Sequence, residues 1–124
     1  MYDRDLVLTI LKQISDALDK ISKRAISITK AEDFTSTPAG AEKLDSICML
    51  LIAVGEGVKN IDKITDSTLL PKYPNIDWSG VKGMRDIIAH HYFDVDADQV
   101  FWIVKNKVDS LSETIEEMIN GLNN

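Results

Sequence analysis

The segment from Met84 to Phe93 holds most of the side chains in this chain that could do chemistry. It reads Met-Arg-Asp-Ile-Ile-Ala-His-His-Tyr-Phe and contains both histidines of the protein. Histidine takes or gives a proton near neutral pH, and arginine stays charged and grips phosphate oxygens through a planar fork. This combination suits acid–base chemistry on a phosphate. The candidate residues are Arg85, Asp86, His90, His91 and Tyr92. The apolar residues expected to anchor the segment in the core are Met84, Ile87, Ile88 and Phe93.

The spacing of these residues constrains how they could meet. On a continuous α-helix, five residues advance about 140° beyond a full turn, so Arg85 and His90 would not share a face, whereas Tyr92 would return to the face of Arg85. Arg85 and His90 converge only if the helix ends or distorts near His90, or if they face one groove from two sides. The alternative is that Arg85 pairs with Asp86 or another surface carboxylate, and that the histidines simply end a helix.

Composition and charge limit the class of protein. The chain has 124 residues, which predicts one globular domain over residues 1–124. The formal net charge of −6 argues against nonspecific coating of nucleic acid. A local cationic patch around Arg85, with Lys82 as a second candidate cation, is compatible with that charge.

The remaining residue types predict neither a cofactor nor a metal. The single cysteine, Cys48, sits in an apolar run and is interpreted as a small core residue in a reducing cytoplasm. No cysteine pair or HExxH spacing indicates zinc, and no glycine-rich phosphate loop is present. The first residues lack signal-peptide architecture, and the longest apolar run is too short for a bilayer. We therefore expect a cytoplasmic protein without membrane contact.

Apolar residues recur at helical spacing in four segments, and none alternates like a strand. The expected fold is an all-α, up-down bundle of four main helices. The second helix should open after the run Thr35–Pro38, in which hydroxyl residues suit an N-cap and proline suits the first turn. The third should begin at the Asp77 cap and the fourth near Asp96, with Gly121 as a stop. The predicted apolar stripes are Val7–Ile28, Leu44–Ile61 and Phe101–Leu122, the short third helix runs from Trp78 to about His90, and 66–76 is a loop.

Two glycines interrupt the short third helix. Gly80 and Gly83 each weaken a helix by roughly 1 kcal/mol relative to alanine. Either another helix or a ligand approaches closely there, or the glycines serve ordinary packing within the subunit. Together with Trp78, they suggest a twofold interface beside the candidate residues.

A longer pattern surrounds the candidate residues and resembles a known family. Residues 77–86 and 90–96 resemble the signature of the HEPN superfamily, and more narrowly that of HepT-like toxins encoded beside a minimal nucleotidyltransferase. The family pattern is Arg-x4-His-x-Tyr, which this chain matches at Arg85, His90 and Tyr92. Residues 53–59 resemble the family's second-helix segment, and the helical layout extends the likeness over nearly the whole chain.

The resemblance implies a homodimeric, metal-independent endoribonuclease toxin of a type VII-like toxin–antitoxin pair. Arg85 and His90 of both subunits would line one cleft that takes RNA, and Asp86 would orient Arg85 or a water. Many relatives carry glycine where this chain has His91. The family also implies that the partner nucleotidyltransferase transfers AMP to Tyr92, which blocks RNA entry. Two alternatives stay open: a noncatalytic HEPN partner that binds RNA or nucleotide, and a purely structural helical dimer.

Overall fold

The computed structural model describes residues 2–89 and 95–124. This part of the chain forms helices and turns with no strand, so the predicted all-α class is confirmed. Three long and three short α-helices are connected by loops that contain 3₁₀ turns at Ala31–Phe34 and Leu70–Lys72. The helices are α1 (Arg4–Arg24), α2 (Pro38–Ile64), α3 (Trp78–Lys82), α4 (Met84–Ala89), α5 (Ala97–Asn106) and α6 (Val108–Asn123).

The helix starts follow from local hydrogen bonds that the sequence predicted. Thr37 caps α2 by accepting a hydrogen bond from the Gly40 amide at 2.9 Å, with Pro38 in the first helical position. Asp77 caps α3 and Asp96 caps α5, each accepting from a backbone amide three residues later at 3.1 Å. These side chains satisfy backbone donors that have no partner inside the helix. The predicted cap at Asp77 and the predicted helix start near Asp96 are confirmed, and the hydroxyl residue that caps α2 is Thr37.

The core lies between α1, α2 and the α5–α6 pair. Gly57 on α2 faces Ile14 on α1, and Ser15 donates to Glu116 on α6 at 2.6 Å. The Lys105 ammonium meets the Ala25 carbonyl at the other end of α1, so α5–α6 runs antiparallel to α1. In the first predicted stripe all seven positions are buried: Val7, Leu11, Ile14, Leu18, Ile21, Ala25 and Ile28. In the second stripe all six positions are buried: Leu44, Ile47, Leu51, Val54, Val58 and Ile61. In the third stripe the five positions from 104 to 118 are buried, whereas its two end residues, 101 and 122, are half-buried.

Three predicted helix boundaries are wrong. The third helix is broken at Gly83, which ends α3 by donating its amide to the Ser79 carbonyl at 3.0 Å. The fourth helix is interrupted at Lys107, where φ reaches −119° and α5 gives way to α6. Gly121 does not stop α6, which continues to Asn123. The apolar pattern runs through the Lys107 break, since Val104 and Val108 on either side of it are both buried, and the Lys107 amide still donates to the Ile103 carbonyl at 2.8 Å.

The single cysteine is part of the core, as predicted. Cys48 is buried on α2, and this burial, with a smaller contribution from the negative charge of Asp45, raises the pKa of its thiol to about 11. The thiol is therefore protonated at neutral pH, and the reactive thiolate form is scarce. Separately, none of the helices in residues 2–89 and 95–124 is long and apolar enough to cross a membrane.

Two helical segments approach each other closely at Gly55, and not at Gly80 or Gly83. A Cβ atom at Gly80 would lie 2.6 Å from Oδ2 of its own cap, Asp77, and one at Gly83 would lie 3.3 Å from the Ser79 carbonyl. These nearest contacts are local to α3. By contrast, a Cβ atom at Gly55 on α2 would lie 2.8 Å from the Val81 carbonyl oxygen. Gly55 therefore allows the α3–α4 segment to lie directly on the backbone of α2.

We predict that Gly55→Ala destabilises the protein by about 1–3 kcal/mol, because the added methyl meets a backbone carbonyl and Met84 Cβ at 3.0 Å. Gly121→Ala on α6 is the control. Its methyl meets only the hydroxyl at the tip of the Tyr73 side chain, at 3.1 Å, and alanine favours a helix over glycine. Urea unfolding of both variants measures the difference. A Gly55→Ala protein at least as stable as the wild type would contradict the close contact.

Candidate active site

Buried side chains on α4 hold its polar residues at the surface. Met84 and Ile88, four residues apart, are buried against the core, and α4 packs against α2. This arrangement leaves Arg85 and Asp86 exposed. Ile87, a further expected anchor, is instead 37% exposed, where it lines an apolar groove in the surface. The expected anchor Phe93 lies outside the described residues.

Hydrogen bonds from the preceding loop fix the start of this segment. The indole N–H of Trp78, in the first turn of α3, donates to the Tyr73 carbonyl at 2.9 Å. Asn75 in the same loop donates to Thr114 of α6 at 2.9 Å. Trp78 thus has a partner inside its own chain, and α3 is tied to α6 as well as to α2.

Arg85 reaches across to α2 and meets a carboxylate there. Its Nη1 donates to Oε1 of Glu56 at 3.2 Å, and the arginine side chain stays 60% exposed. Lys59, one turn further along α2, places its ammonium 3.3 Å from Oε2 of the same Glu56. Lys59 first, and Arg85 second, hold the pKa of Glu56 below its ordinary value. Three charges therefore stand in a row at the surface: Lys59, Glu56 and Arg85.

The structure agrees with one part of the alternative interpretation of Arg85, in which this residue pairs with a carboxylate at the surface. Arg85 does pair with a surface carboxylate, but the partner in the described part of the chain is Glu56, 29 residues earlier, rather than the adjacent Asp86. Arginine carries five N–H donors, so a contact through Nη1 leaves further donors for a ligand. The predicted role of Asp86 toward a water stays a prediction.

The second cation of the predicted patch is engaged elsewhere. Lys82 at the end of α3 forms an ion pair with Asp62 of α2 at 3.0 Å. This pair and the Arg85–Glu56 pair both join α2 to the α3–α4 segment. The cation that shares a carboxylate with Arg85 is instead Lys59. Glu56 and Lys59 lie within residues 53–59, whose resemblance to a family segment does not by itself assign either side chain a role.

The residue that the sequence pairs with Arg85 is His90. His90, His91 and Tyr92 lie outside the described residues. The described chain leaves α4 at Ala89 and enters α5 through the Asp96 cap. Among the residues with described positions no cluster of three or more histidine, cysteine or acidic side chains could hold a metal. Because both histidines fall outside that set, the predicted absence of a metal stays a prediction.

An apolar groove of about 220 Å³ opens on the other side of α4 from Arg85. Ile87 lies on its wall because it is two positions from Arg85, about 200° around the helix. Trp102 of α5 also lines the groove, is 53% exposed, and has the Lys107 ammonium 5.3 Å from its ring centre. α4 therefore separates a charged surface, with Arg85, from an apolar one.

Comparison with known proteins identifies the family. The sequence model described as "Ribonuclease HepT-like" matches residues 14–118, a stretch that includes Arg85, His90 and Tyr92. The chain belongs to the HepT-like ribonuclease family. The resemblance to HepT-like HEPN proteins is thus confirmed.

Individual relatives of this HepT-like chain carry names consistent with the family. One predicted RNase of Methanocaldococcus jannaschii is 36% identical over 72 residues, which cover 58% of this chain and 56% of that protein. A second from the same organism is 30% identical over 97 residues, covering 78% and 80%. A predicted RNase of Caldanaerobacter subterraneus is 26% identical over 88 residues, covering 71% and 72%. No solved structure matches the chain significantly.

Proposed function

We propose that this HepT-like chain is a metal-independent endoribonuclease that acts as the toxin of a type VII-like toxin–antitoxin pair. The observation that carries the proposal is the exposed guanidinium of Arg85, hydrogen-bonded to Glu56 at 3.2 Å, in a chain of a ribonuclease family. An exposed, always-charged fork on a residue five positions before His90 in the sequence suits the phosphodiester of RNA.

The proposed reaction uses the nucleophile that RNA carries itself. The 2′-oxygen attacks the neighbouring phosphorus, the new P–O2′ bond forms, and the P–O5′ bond breaks. One His90 takes the proton from the 2′-hydroxyl, and a second gives a proton to the departing 5′-oxygen. Arg85 binds the phosphate and stabilises the charge that grows on its oxygens. Asp86 and His91 would support this pair by orienting it or a water.

We predict that Arg85→Ala and His90→Ala each slow cleavage of single-stranded RNA by at least about 100-fold, because each removes a group that acts in the transition state. Arg85→Lys should also be poor, since an ammonium does not reproduce the fork. A gel assay with labelled RNA measures the rates, and the matching DNA, which lacks the 2′-hydroxyl, should stay intact.

The controls for this assay are stability and metal dependence. Arg85 is 60% exposed and its ion pair is accessible to solvent, so Arg85→Ala should melt close to the wild-type temperature. Cleavage should persist in EDTA. Activity that disappears with EDTA and returns with a divalent cation would refute the metal-independent mechanism. RNA binding without cleavage by the wild type would favour the noncatalytic HEPN partner instead.

A homodimer would supply the two histidines that the reaction needs. The apolar groove across α4 from Arg85, where Ile87 of α4 and Trp102 of α5 are exposed, supports an association surface on that side of the short helix. We predict a dimer in sedimentation velocity at micromolar concentration, and weaker association for Trp102→Ser, which removes apolar area that a second subunit would cover. Wild-type protein that sediments as a monomer would count against a composite site.

Tyr92 is the proposed point of control. The partner nucleotidyltransferase would join the Tyr92 oxygen to the α-phosphorus of ATP and release pyrophosphate. Tyr92 lies two positions after His90, so the added AMP would bring bulk and negative charge beside the RNA site. Like-charge repulsion and occlusion then act in the same direction.

We predict that co-expression with the cognate nucleotidyltransferase adds one or more AMP units to Tyr92 and silences RNA cleavage. Tyr92→Phe lacks the acceptor oxygen and should resist silencing while keeping its fold. Intact-mass spectrometry, followed by peptide mapping, locates the modification. A protein that is neutralised while its mass is unchanged would indicate inhibition by binding alone.

A further inference from the structure

Glu56 is placed to do more than balance charge. Its two carboxylate oxygens are divided between two cations, with Oε1 at 3.2 Å from Arg85 Nη1 and Oε2 at 3.3 Å from Lys59. Glu56 itself sits in the middle of α2, the 27-residue helix, directly after the crossing point at Gly55. The carboxylate is therefore mounted on a rigid element, whereas Arg85 extends from a helix of six residues.

Stability does not account for this arrangement. The side chains of Arg85 and Glu56 are 60% and 40% exposed, and ion pairs this accessible to solvent contribute little to folding. The contact between α2 and the α3–α4 segment already includes a less exposed ion pair, Asp62–Lys82. What the Glu56 contact does provide is an orientation, because a carboxylate bond to one N–H of a planar guanidinium restricts the direction of the other donors.

We propose that Glu56 is a positioning residue, which fixes the plane of the Arg85 guanidinium so that its remaining donors face the scissile phosphate. The inference rests on the proposed role of Arg85. Lys59 completes the arrangement by neutralising Glu56 from the other side, so that the row of three charges keeps a net charge of +1. This balance lets a carboxylate stand beside an RNA phosphate without a net repulsion at the site.

The test compares Glu56→Gln with Asp62→Asn. Each variant replaces one carboxylate of α2 by its amide in an ion pair with the α3–α4 segment, so the two are matched in chemistry and location. We expect Glu56→Gln to lower kcat by about 10- to 100-fold, the range that misplacement of a reacting group produces. KM should not rise, because removal of a negative charge does not weaken RNA binding. Asp62→Asn should keep kcat within about twofold of wild type.

Further readouts separate positioning from other roles. The rate–pH profile of Glu56→Gln should keep its shape, since Glu56 is ionised throughout the neutral range and transfers no proton. A higher kcat in Glu56→Gln would show that the carboxylate competes with phosphate, and would overturn the proposal. Equal losses of kcat in the two amide variants, with equal losses of melting temperature, would overturn it too, because they would indicate a structural role only.

A measurement without RNA distinguishes this inference from the proposed function. If the wild type cleaves no RNA, the proposed function fails, but nitrogen-15 NMR of the arginine side chain still reports on Glu56. We expect restricted rotation of the Arg85 guanidinium in wild type, seen as separate Nη signals, and averaging of those signals in Glu56→Gln but not in Asp62→Asn. Averaged signals in the wild type itself would overturn the positioning role.

Discussion

The close crossing of the α3–α4 segment over α2 at Gly55 determines where the charged groups of this protein lie. The Val81 carbonyl and Met84 Cβ occupy the space that a side chain at Gly55 would need. With the backbones this close, the residue after Gly55 on α2 faces the residue after Met84 on α4. That pair is Glu56 and Arg85. The register of one helix crossing thus brings together charges that are far apart in the sequence.

The segment that carries Arg85 could not be stable alone. Helices of five and six residues are too short to repay the cost of nucleation in water. They persist because Met84 and Ile88 are buried, because Asp77 caps α3, and because Trp78 bonds to the preceding loop. The break at Gly83 allows the two pieces to change direction while both stay against α2. An exposed cation is in this way held on a short element by neighbours that are themselves fixed in the core.

The sequence predicted the parts of the fold that depend on local chemistry. Buried stripes and caps are properties of residues within a few positions of one another, so Val7–Ile28, Leu44–Ile61, the Asp77 cap and the helix start near Asp96 could be identified directly. Before Pro38 the sequence offered three hydroxyl residues, of which Thr37 is the cap. The break at Lys107 could not, because the apolar pattern runs through it. Gly83 marks the break of the third helix in the sequence. The sequence alone does not show whether such a glycine ends a helix or allows another element to pack closely against it.

The candidate site was harder to predict because its parts come from different helices. Arg85 was identified from its residue type and from its spacing to His90. Its partner Glu56 depends on how α4 lies across α2, which no local pattern encodes. The pair of glycines around Glu56 was the available signal, since glycine in the middle of a long helix indicates close approach. Lys82 appeared the better second cation because it is near Arg85 in sequence, but the fold directs it to Asp62.

The electrostatics of the surface follow from the same crossing. A protein with a net charge of −6 repels a polyanion at long range, so the proposed binding of RNA depends on short-range contacts at one place. Asp62 and Lys82 cancel each other, whereas the row of Lys59, Glu56 and Arg85 retains one positive charge. Because this surface offers little net positive charge, it would displace few counterions from a nucleic acid. Its nonspecific affinity for nucleic acid would therefore be low. For the proposed chemistry, selectivity then depends on the orientation of one guanidinium, which is the property that Glu56 on α2 is placed to control.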